Sequence, residues 1–242
     1  MIRRNLPHSF TLSNLFCGIL AIIIALSGDV VIPLYLILAA ALFDFVDGWV
    51  ARMLGVAGPL GKQLDSLADV VTFGVTPGIL LYQWGMDHLH GSGTGLDDLL
   101  GWNNLALLTP LLIPLFAAVR LARFNIDERQ SHGFIGLPTP AATLFLGSWV
   151  YLAATRTGSF WEIILSDPFH FSIICLLTGI LMVSNVRLFA LKFSEYSWKG
   201  NSIRYIFLIL ALAGIVFLGM GGIPIIVLLY LLLSVVQNLI QR

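Results

Sequence analysis

Charged residues are scarce in this chain of 242 residues. Lysine and arginine together number 13, aspartate and glutamate also number 13, and charged residues make up 11% of the sequence. A soluble globular domain carries about 25% charged residues, so this chain has too few to coat a water-exposed surface. The formal net charge is zero and gives no field that attracts nucleic-acid phosphates. Disorder, which requires low hydrophobicity and high net charge, is excluded as well.

Cysteine is almost absent. Cys17 and Cys175 both lie in apolar runs, and their positions show no metal-ligand or redox spacing. A disulfide framework is therefore excluded, and we expect both residues to be small buried hydrophobic side chains.

Long apolar runs fill the sequence, which is 58% hydrophobic with a mean hydropathy of +0.92. A membrane-crossing helix needs about 20 mostly apolar residues. The sequence predicts an all-α, polytopic bundle of about eight transmembrane helices in a single integral membrane domain, residues 1–242. The predicted spans are 10–28, 31–54, 63–84, 104–124, 137–155, 170–191, 203–220 and 222–240. The glycine-rich stretch 219–222 predicts a tight turn between the last two.

The distribution of basic residues predicts the orientation in the bilayer. With a cytoplasmic N-terminus, all of the 13 Lys and Arg residues except Arg156 fall on the cytoplasmic side of the eight predicted spans. Positive charge in short loops favours that side. We therefore expect a multi-pass protein of the cytoplasmic membrane with both termini in the cytoplasm.

Four aspartates interrupt the second and third apolar runs. Asp44 and Asp47 are three residues apart, and Asp65 and Asp69 are four apart, so each pair lies on one face of a helix. The intervening segment 55–59 contains two glycines and a proline, which indicates a turn. The two helices are therefore expected to run antiparallel and to bring all four carboxylates together near their cytoplasmic ends.

Such a cluster is costly without a cation. One ionised side chain at the bilayer centre costs at least ~2.5–3.5 kcal/mol, and four like charges also repel one another. Carboxylate ligands without His or Cys suit hard cations such as Mg²⁺ or Mn²⁺. Four carboxylates can hold two ions, an arrangement suited to displacement at phosphorus. A cation-transport pathway is the alternative from another class, but the cluster is confined to one side of the bilayer.

The residues around the aspartates complete a longer pattern. It reads D-x-x-D-G-x-x-A-R from Asp44 to Arg52, and then, after residues 53–60, G-x-x-x-D-x-x-x-D from Gly61 to Asp69. Every position resembles the signature of the CDP-alcohol phosphotransferases. The resemblance implies a membrane enzyme that transfers a phosphatidyl or related group from a CDP-linked donor to an alcohol and releases CMP.

The resemblance also implies roles for individual residues. Asp44, Asp47, Asp65 and Asp69 correspond to the ligands of a divalent-metal centre, and Asp69 corresponds to the general base. The residues expected to bind the CDP-linked donor are Asn14, Asp47, Gly48, Ala51, Arg52, Gly61 and Lys62. For two of these the residues themselves leave an alternative, because Asn14 could merely cap the first helix and Lys62 could be a solvated loop lysine. The family core is expected to occupy residues 1–195, and residues 196–242 to add two C-terminal helices.

Three further segments resemble the phosphatidylserine-forming branch of this family. They are residues 10–18, 120–125 and 134–142. The resemblance implies CDP-diacylglycerol and L-serine as substrates, and a homodimer. Arg120, Arg123 and Asn125 are the expected acceptor-binding residues, although both arginines could instead be interfacial topology signals. Glycerol 3-phosphate or inositol phosphate is the alternative acceptor, and it would demand more cationic residues at the site.

Overall fold

Helices form nearly all of the computed structural model, which describes residues 2–56, 58–89, 101–127, 133–189 and 201–240. In chain order the helices are α1 (Ile2–Leu26), α2 (Ile32–Met53), α3 (Pro59–Val70), α4 (Thr76–His88), α5 (Trp102–Ala106), α6 (Leu112–Ile126), α7 (Thr139–Thr155), α8 (Phe160–Leu165), α9 (Pro168–Val183), α10 (Ser202–Leu218) and α11 (Gly222–Ile240). A π-helical segment, Val71–Val75, joins α3 to α4. The predicted helical class of the protein is confirmed.

Among the described residues, five segments are long and apolar enough to cross a membrane. They are Asn5–Leu26, Ile32–Met53, Pro59–His88, Asn104–Ile126 and Ser202–Leu239. The first four coincide with the first four predicted spans, and the fifth contains the last two. The remaining predicted spans correspond to α7 and α9, which have 17 and 16 residues. The protein is thus a polytopic helical membrane protein, whereas the count of eight spans stays a prediction.

The fifth segment is a helical hairpin rather than one long helix. A 3-10 turn, Gly219–Gly221, separates α10 from α11, and Gly219 has a φ of +56°, which favours glycine. A Cβ atom built on Gly222 would lie 2.5 Å from the carbonyl oxygen of Gly214. The two backbones therefore pass very close together, as the predicted turn requires.

Helix α1 packs against α2, α3 and α4. A Cβ atom on Gly18 would lie 2.4 Å from Oγ1 of Thr72, so only glycine allows this approach. Thr72 and Thr76 donate hydrogen bonds to the carbonyl oxygens of Asn14 and Gly18, each over 3.3 Å. These contacts fix how far α1 is shifted along its axis relative to α3, the helix that carries two of the aspartates.

Two short strands in the described part of the chain are an exception to the predicted all-helical architecture. Strand β1 (Gly133–Ile135) pairs antiparallel with β2 (Arg187–Phe189), and Phe134 lies opposite Leu188. The sixth predicted span, 170–191, is therefore wrong at its end, because α9 stops at Val183 and an extended chain follows. Residues 190 and 191 lie outside the described residues. The sequence Val-Arg-Leu-Phe of 186–189 is apolar enough to resemble a helix end, and its pairing partner is more than fifty residues away along the chain.

The predicted orientation involves several residues whose side chains are outside the described part of the chain. These are Arg3, Arg4, Arg129, Lys192, Lys199 and Arg242. The cytoplasmic location of both termini remains a prediction.

Candidate active site

The four aspartates of α2 and α3 meet at one end of the two helices. Oxygen atoms of Asp44, Asp47 and Asp65 lie within 4.8 Å of one another. The carboxyl group of Asp69 is close enough to interact electrostatically with Asp44, Asp47 and Asp65. Gly55, with a φ of +64°, forms the predicted turn after α2. The expected convergence of the two helices is therefore what the structure shows.

Helix α1 contacts both aspartate helices through two polar side chains. Thr11 donates a hydrogen bond from Oγ1 to Oδ2 of Asp47 over 2.5 Å. Asn14 donates from Nδ2 to Oδ1 of Asp69 over 3.2 Å. Both aspartates are buried, with 6% and 7% of their surface exposed. Asn14 thus contacts an aspartate rather than capping α1, which begins at Ile2.

The cluster fits a divalent cation. The buried Oδ1 atom of Asp65 has no hydrogen-bond partner among the described residues. An unpaired buried carboxylate oxygen is costly, and a metal ion would satisfy it. The donor set consists of oxygen atoms only, which suits Mg²⁺ or Mn²⁺ rather than a softer metal.

A cavity of about 600 Å³ opens beside the cluster. It is lined by Asp47 and Asp65 and by five of the residues predicted to bind the donor, which are Gly48, Ala51, Arg52, Gly61 and Lys62. This volume lies in the range of small-molecule sites. The structure therefore brings together every predicted donor residue except Asn14, which is not part of the cavity lining and instead bonds Asp69.

Two glycines make room in the cavity wall. A Cβ atom on Gly48 would lie 3.4 Å from Nη1 of Arg52, so the guanidinium group folds back over this glycine. A Cβ atom on Gly61 would lie 3.2 Å from Cε1 of His8. A side chain at Gly61 would press against His8, which lines the cavity, whereas a Cβ atom at Gly48 would be in ordinary contact with Arg52.

Lys62 and Asn125 join α3 to the end of α6. The Nζ atom of Lys62 donates a hydrogen bond to the carbonyl oxygen of Asn125 over 2.7 Å. The side-chain amide of Asn125 donates to Oγ of Ser66 over 2.8 Å. Both residues are thus engaged in contacts between helices, and Lys62 in addition lines the cavity.

The two arginines predicted to bind the acceptor substrate lie in different surroundings. Arg120 is 6% exposed, donates from Nη1 to Oγ1 of Thr139 over 3.2 Å, and interacts electrostatically with Asp69. Arg123 is exposed and donates from Nη1 to the carbonyl oxygen of Val183 over 3.0 Å, at the end of α9. The structure therefore brings Arg120 to the aspartates and places Arg123 on the last turn of another helix.

Sequence reasoning missed two residues of α1. Thr11 and His8 line the cavity together with Pro7. The signal was present in the spacing, because His8, Thr11 and Asn14 recur every three residues and share one helical face. Gln63 also lines the cavity and carried no signal that distinguished it from a loop residue.

Comparison with known proteins defines the class of this site. The CDP-alcohol phosphatidyltransferase family matches residues 4–191 of the chain. The protein belongs to this family and is a membrane transferase of phospholipid biosynthesis. The match ends before α10, so the C-terminal hairpin lies outside it.

Three relatives resemble this chain over most of its length. The chain is 31% identical to a CDP-diacylglycerol–serine O-phosphatidyltransferase of Helicobacter pylori over 215 residues, which cover 87% of this chain and 81% of the relative. It is 35% identical to an enzyme of the same name from Methanocaldococcus jannaschii, covering 73% of this chain and 70% of the relative. It is also 35% identical to an archaetidylserine synthase of Methanothermobacter thermautotrophicus, covering 75% and 68%.

Proposed function

We propose that this protein transfers a phosphatidyl group from CDP-diacylglycerol to L-serine, forming phosphatidylserine and CMP. The observation that carries the proposal is Arg120, a buried cation that interacts electrostatically with Asp69. The named relatives support serine, because their names differ in the lipid group but share the serine product or acceptor.

The cavity beside the cluster is the proposed donor site. Arg52 supplies the cation that faces the pyrophosphate, and Gly48, Ala51 and Gly61 leave room for the nucleotide. Lys62 lines the same cavity, and Asn14 is proposed to reach the donor from α1, where it bonds Asp69. The acyl chains would extend from the cavity into the bilayer between helices.

The four aspartates are the proposed ligands of two divalent ions, Mg²⁺ or Mn²⁺. Asp44, Asp47 and Asp65 form the compact part of the cluster, and Asp69 completes it. Bound there, the ions would neutralise the charge of the pyrophosphate and of the departing CMP. Thr11 and Asn14 hold two of the carboxylates in place from α1.

Asp69 is the proposed general base. It would accept the proton of the serine hydroxyl as that oxygen attacks the lipid-side phosphorus atom. The bond from that phosphorus to the CMP oxygen breaks, and CMP leaves with the bonding electron pair. Because a carboxylate is a weak base, the position of Asp69 must supply much of its effect.

Arg120 is the proposed partner of the serine carboxylate. A guanidinium group offers a planar pair of donors that matches a carboxylate. The Nε atom of Arg120 is buried and has no hydrogen-bond partner among the described residues, so it has donor capacity to spare. Arg123 and Asn125 would border the acceptor path at the end of α6.

A phosphorylated acceptor is less compatible with this arrangement. Glycerol 3-phosphate or inositol phosphate brings two negative charges, which usually require more than one cation. Near Asp69 the described residues supply the buried Arg120, whereas Arg123 is bonded to α9. We further propose that the site faces the cytoplasm and that the enzyme forms a homodimer, as the family resemblance implies.

The test is CMP release by the purified protein in detergent. CDP-diacylglycerol and Mg²⁺ or Mn²⁺ are supplied with L-serine, glycerol 3-phosphate, inositol phosphate or water, and the lipid product is identified. Release that depends on L-serine and yields phosphatidylserine is expected. Release that depends on another acceptor would support the proposed donor site but overturn the proposal that serine is the acceptor. The matched Asp69→Asn variant should release CMP about 10²- to 10⁴-fold more slowly with every acceptor.

A further inference from the structure

Two direct contacts restrict the guanidinium group of Arg120. Its Nη1 atom donates a hydrogen bond to Oγ1 of Thr139 over 3.2 Å. Its Cζ atom lies 5.7 Å from the ring centroid of Phe124, one turn further along α6, which is a cation–π distance. Thr139 is fully buried and Arg120 is 6% exposed. The guanidinium group is therefore held by a hydroxyl and an aromatic ring in a buried environment.

The contact with Thr139 engages one particular nitrogen atom. In a guanidinium group Nη1 lies on the side of Cδ, whereas Nε and Nη2 share the opposite edge. The N–H bonds of that edge point in parallel, so it can bind both oxygen atoms of a carboxylate. The buried Nε atom of Arg120 has no hydrogen-bond partner among the described residues. The bond to Thr139 thus uses the nitrogen that a carboxylate bound at the other edge does not need.

The chain segment before Thr139 is anchored to the end of α9. The amide of Leu137 donates to the carbonyl oxygen of Leu181 over 2.9 Å. Gly136 has a φ of +77°, and a Cβ atom at this position would collide with the carbonyl group of Met182. Strand β1, which precedes Gly136, is paired with β2. The sheet and the end of α9 therefore fix where α7 begins and where Thr139 lies.

Thr143, one turn after Thr139, anchors α7 to a second neighbour. It is buried and donates from Oγ1 to the carbonyl oxygen of Phe73 over 2.7 Å. Phe73 belongs to the π-helical segment that follows Asp69. Pro77, four residues later, has no N–H group to donate to this carbonyl in the usual α-helical pattern. One face of α7 thus contacts both the arginine and the segment that follows the proposed base.

We propose that Thr139 is a positioning residue that holds Nη1 of Arg120 and thereby presents the edge formed by Nε and Nη2 to the carboxylate of the acceptor. This inference rests on the proposed function, in which Arg120 binds the serine carboxylate. Thr139 acts through Arg120 and touches neither substrate. The connection from β1 to α7 then has a role in acceptor binding, because it fixes the position of Thr139.

Thr139→Val and Thr139→Ser test the proposal. Valine keeps the shape of threonine but cannot accept the hydrogen bond from Nη1, whereas serine can. Loss of one such hydrogen bond corresponds to a change of about 2- to 10-fold. We expect the KM for L-serine to rise by that factor in Thr139→Val, with the KM for CDP-diacylglycerol unchanged. Thr139→Ser should stay near the unmodified values.

Thr178→Val is the matched control. Thr178 is a buried threonine of α9 whose hydroxyl donates to the carbonyl oxygen of Ile174 in its own helix over 2.7 Å. The substitution makes the same chemical change away from Arg120, so both KM values should remain unchanged. An equal rise in the KM for L-serine in Thr178→Val and Thr139→Val would overturn the proposal.

The Arg120→Lys background separates positioning from a general structural effect. Lysine has no Nη1 atom for Thr139 to hold, so adding Thr139→Val should change the KM for L-serine less than twofold. An undiminished effect in that background, or no effect of Thr139→Val in the unmodified protein, would overturn the proposal. Thr139→Ala is judged by the same criteria if the valine variant does not fold.

Failure of the proposed function is seen separately in the unmodified protein. If that protein does not use L-serine, both the proposed function and the role of Thr139 are wrong. If it uses L-serine but the Thr139 variants leave its KM unchanged, only the role of Thr139 is wrong.

Discussion

Asn14 on α1 and Asp69 on α3 are buried side chains joined by a hydrogen bond of 3.2 Å from Nδ2 to Oδ1. One turn earlier on α1, Thr11 makes the equivalent contact with Asp47 on α2. The first helix therefore holds one carboxylate of each aspartate pair. Carboxylates that must keep their positions during turnover need such fixed partners, since their mutual repulsion pushes them apart.

Asp69→Asn tests the general base while preserving the shape of the side chain. An amide accepts no proton, so we expect turnover to fall by about 10²- to 10⁴-fold. Binding of CDP-diacylglycerol should remain within a few-fold of the unmodified protein, measured by competition with a labelled donor analogue. A variant that keeps a tenth or more of its turnover would refute the assignment.

Thr11→Val and Thr11→Ser form a matched pair at the other α1 contact. Valine has nearly the shape of threonine but cannot donate to Asp47, whereas serine can. Leaving a buried carboxylate without its donor costs about 1–3 kcal/mol. We expect Thr11→Val to lower kcat/KM by about 5- to 100-fold and Thr11→Ser to stay near the unmodified value. A loss confined to Thr11→Ser, with Thr11→Val near the unmodified value, would show that the methyl group, not the hydroxyl, matters.

The helical spacing of Asp44, Asp47, Asp65 and Asp69 was sufficient to predict that they converge, because periodicity and one turn define an antiparallel pair. The partners of these residues could not be predicted in the same way. Thr11 bonds a residue 36 positions away, and Asn14 one 55 positions away. Which face of α1 meets α3 depends on the close approach at Gly18 and Thr72, which no local pattern specifies.

The surroundings of the predicted acceptor-binding residues could not be predicted from the sequence either. Arg120 and Arg123 are three residues apart and were expected to act together. In the structure the first is drawn inward by Thr139 and Asp69, and the second caps the end of α9. Strands β1 and β2 and the contact of Tyr230 with β2 also depend on pairings between distant segments. Local spacing predicts which residues share one face of a helix. It does not predict which other element packs against that face.

We expect activity to depend on a divalent metal ion bound by the four aspartates. We expect a chelator to abolish CMP release and Mg²⁺ or Mn²⁺ to restore it. Asp65→Asn should raise the metal concentration for half-maximal activity by about tenfold or more, because it removes a ligand. Mn²⁺ binding, measured by electron paramagnetic resonance without substrate, should weaken in parallel.

The control for this experiment is Asp29→Asn. Asp29 accepts hydrogen bonds from the backbone of Val31 and Ile32 at the opposite end of α2. The Asp29→Asn substitution should change neither the metal concentration needed for activity nor the binding of Mn²⁺. Unaltered Mn²⁺ binding in Asp65→Asn would contradict the assignment of the cluster.

Arg120→Lys and Arg123→Lys should separate the two arginines. Lysine keeps the charge but loses the planar pair of donors. We expect the KM for L-serine to rise about tenfold in Arg120→Lys, equivalent to about 1.4 kcal/mol. Arg123→Lys should leave that KM within twofold, because the contact with Val183 joins two helices. The reverse order of effects would place the serine carboxylate at Arg123.

Arg52→Met and Lys62→Met compare the two cations that line the cavity. The guanidinium group of Arg52 folds over Gly48 beside the aspartates, whereas the Nζ atom of Lys62 already donates to the Asn125 oxygen. We expect the KM for CDP-diacylglycerol to rise about tenfold or more in Arg52→Met, the loss expected for a charge-assisted contact of about 1.5–3 kcal/mol. Lys62→Met should change that KM less than threefold and should lower the thermal midpoint, since it releases α3 from the end of α6. A larger KM effect in Lys62→Met would mean that the lysine leaves Asn125 to bind the pyrophosphate.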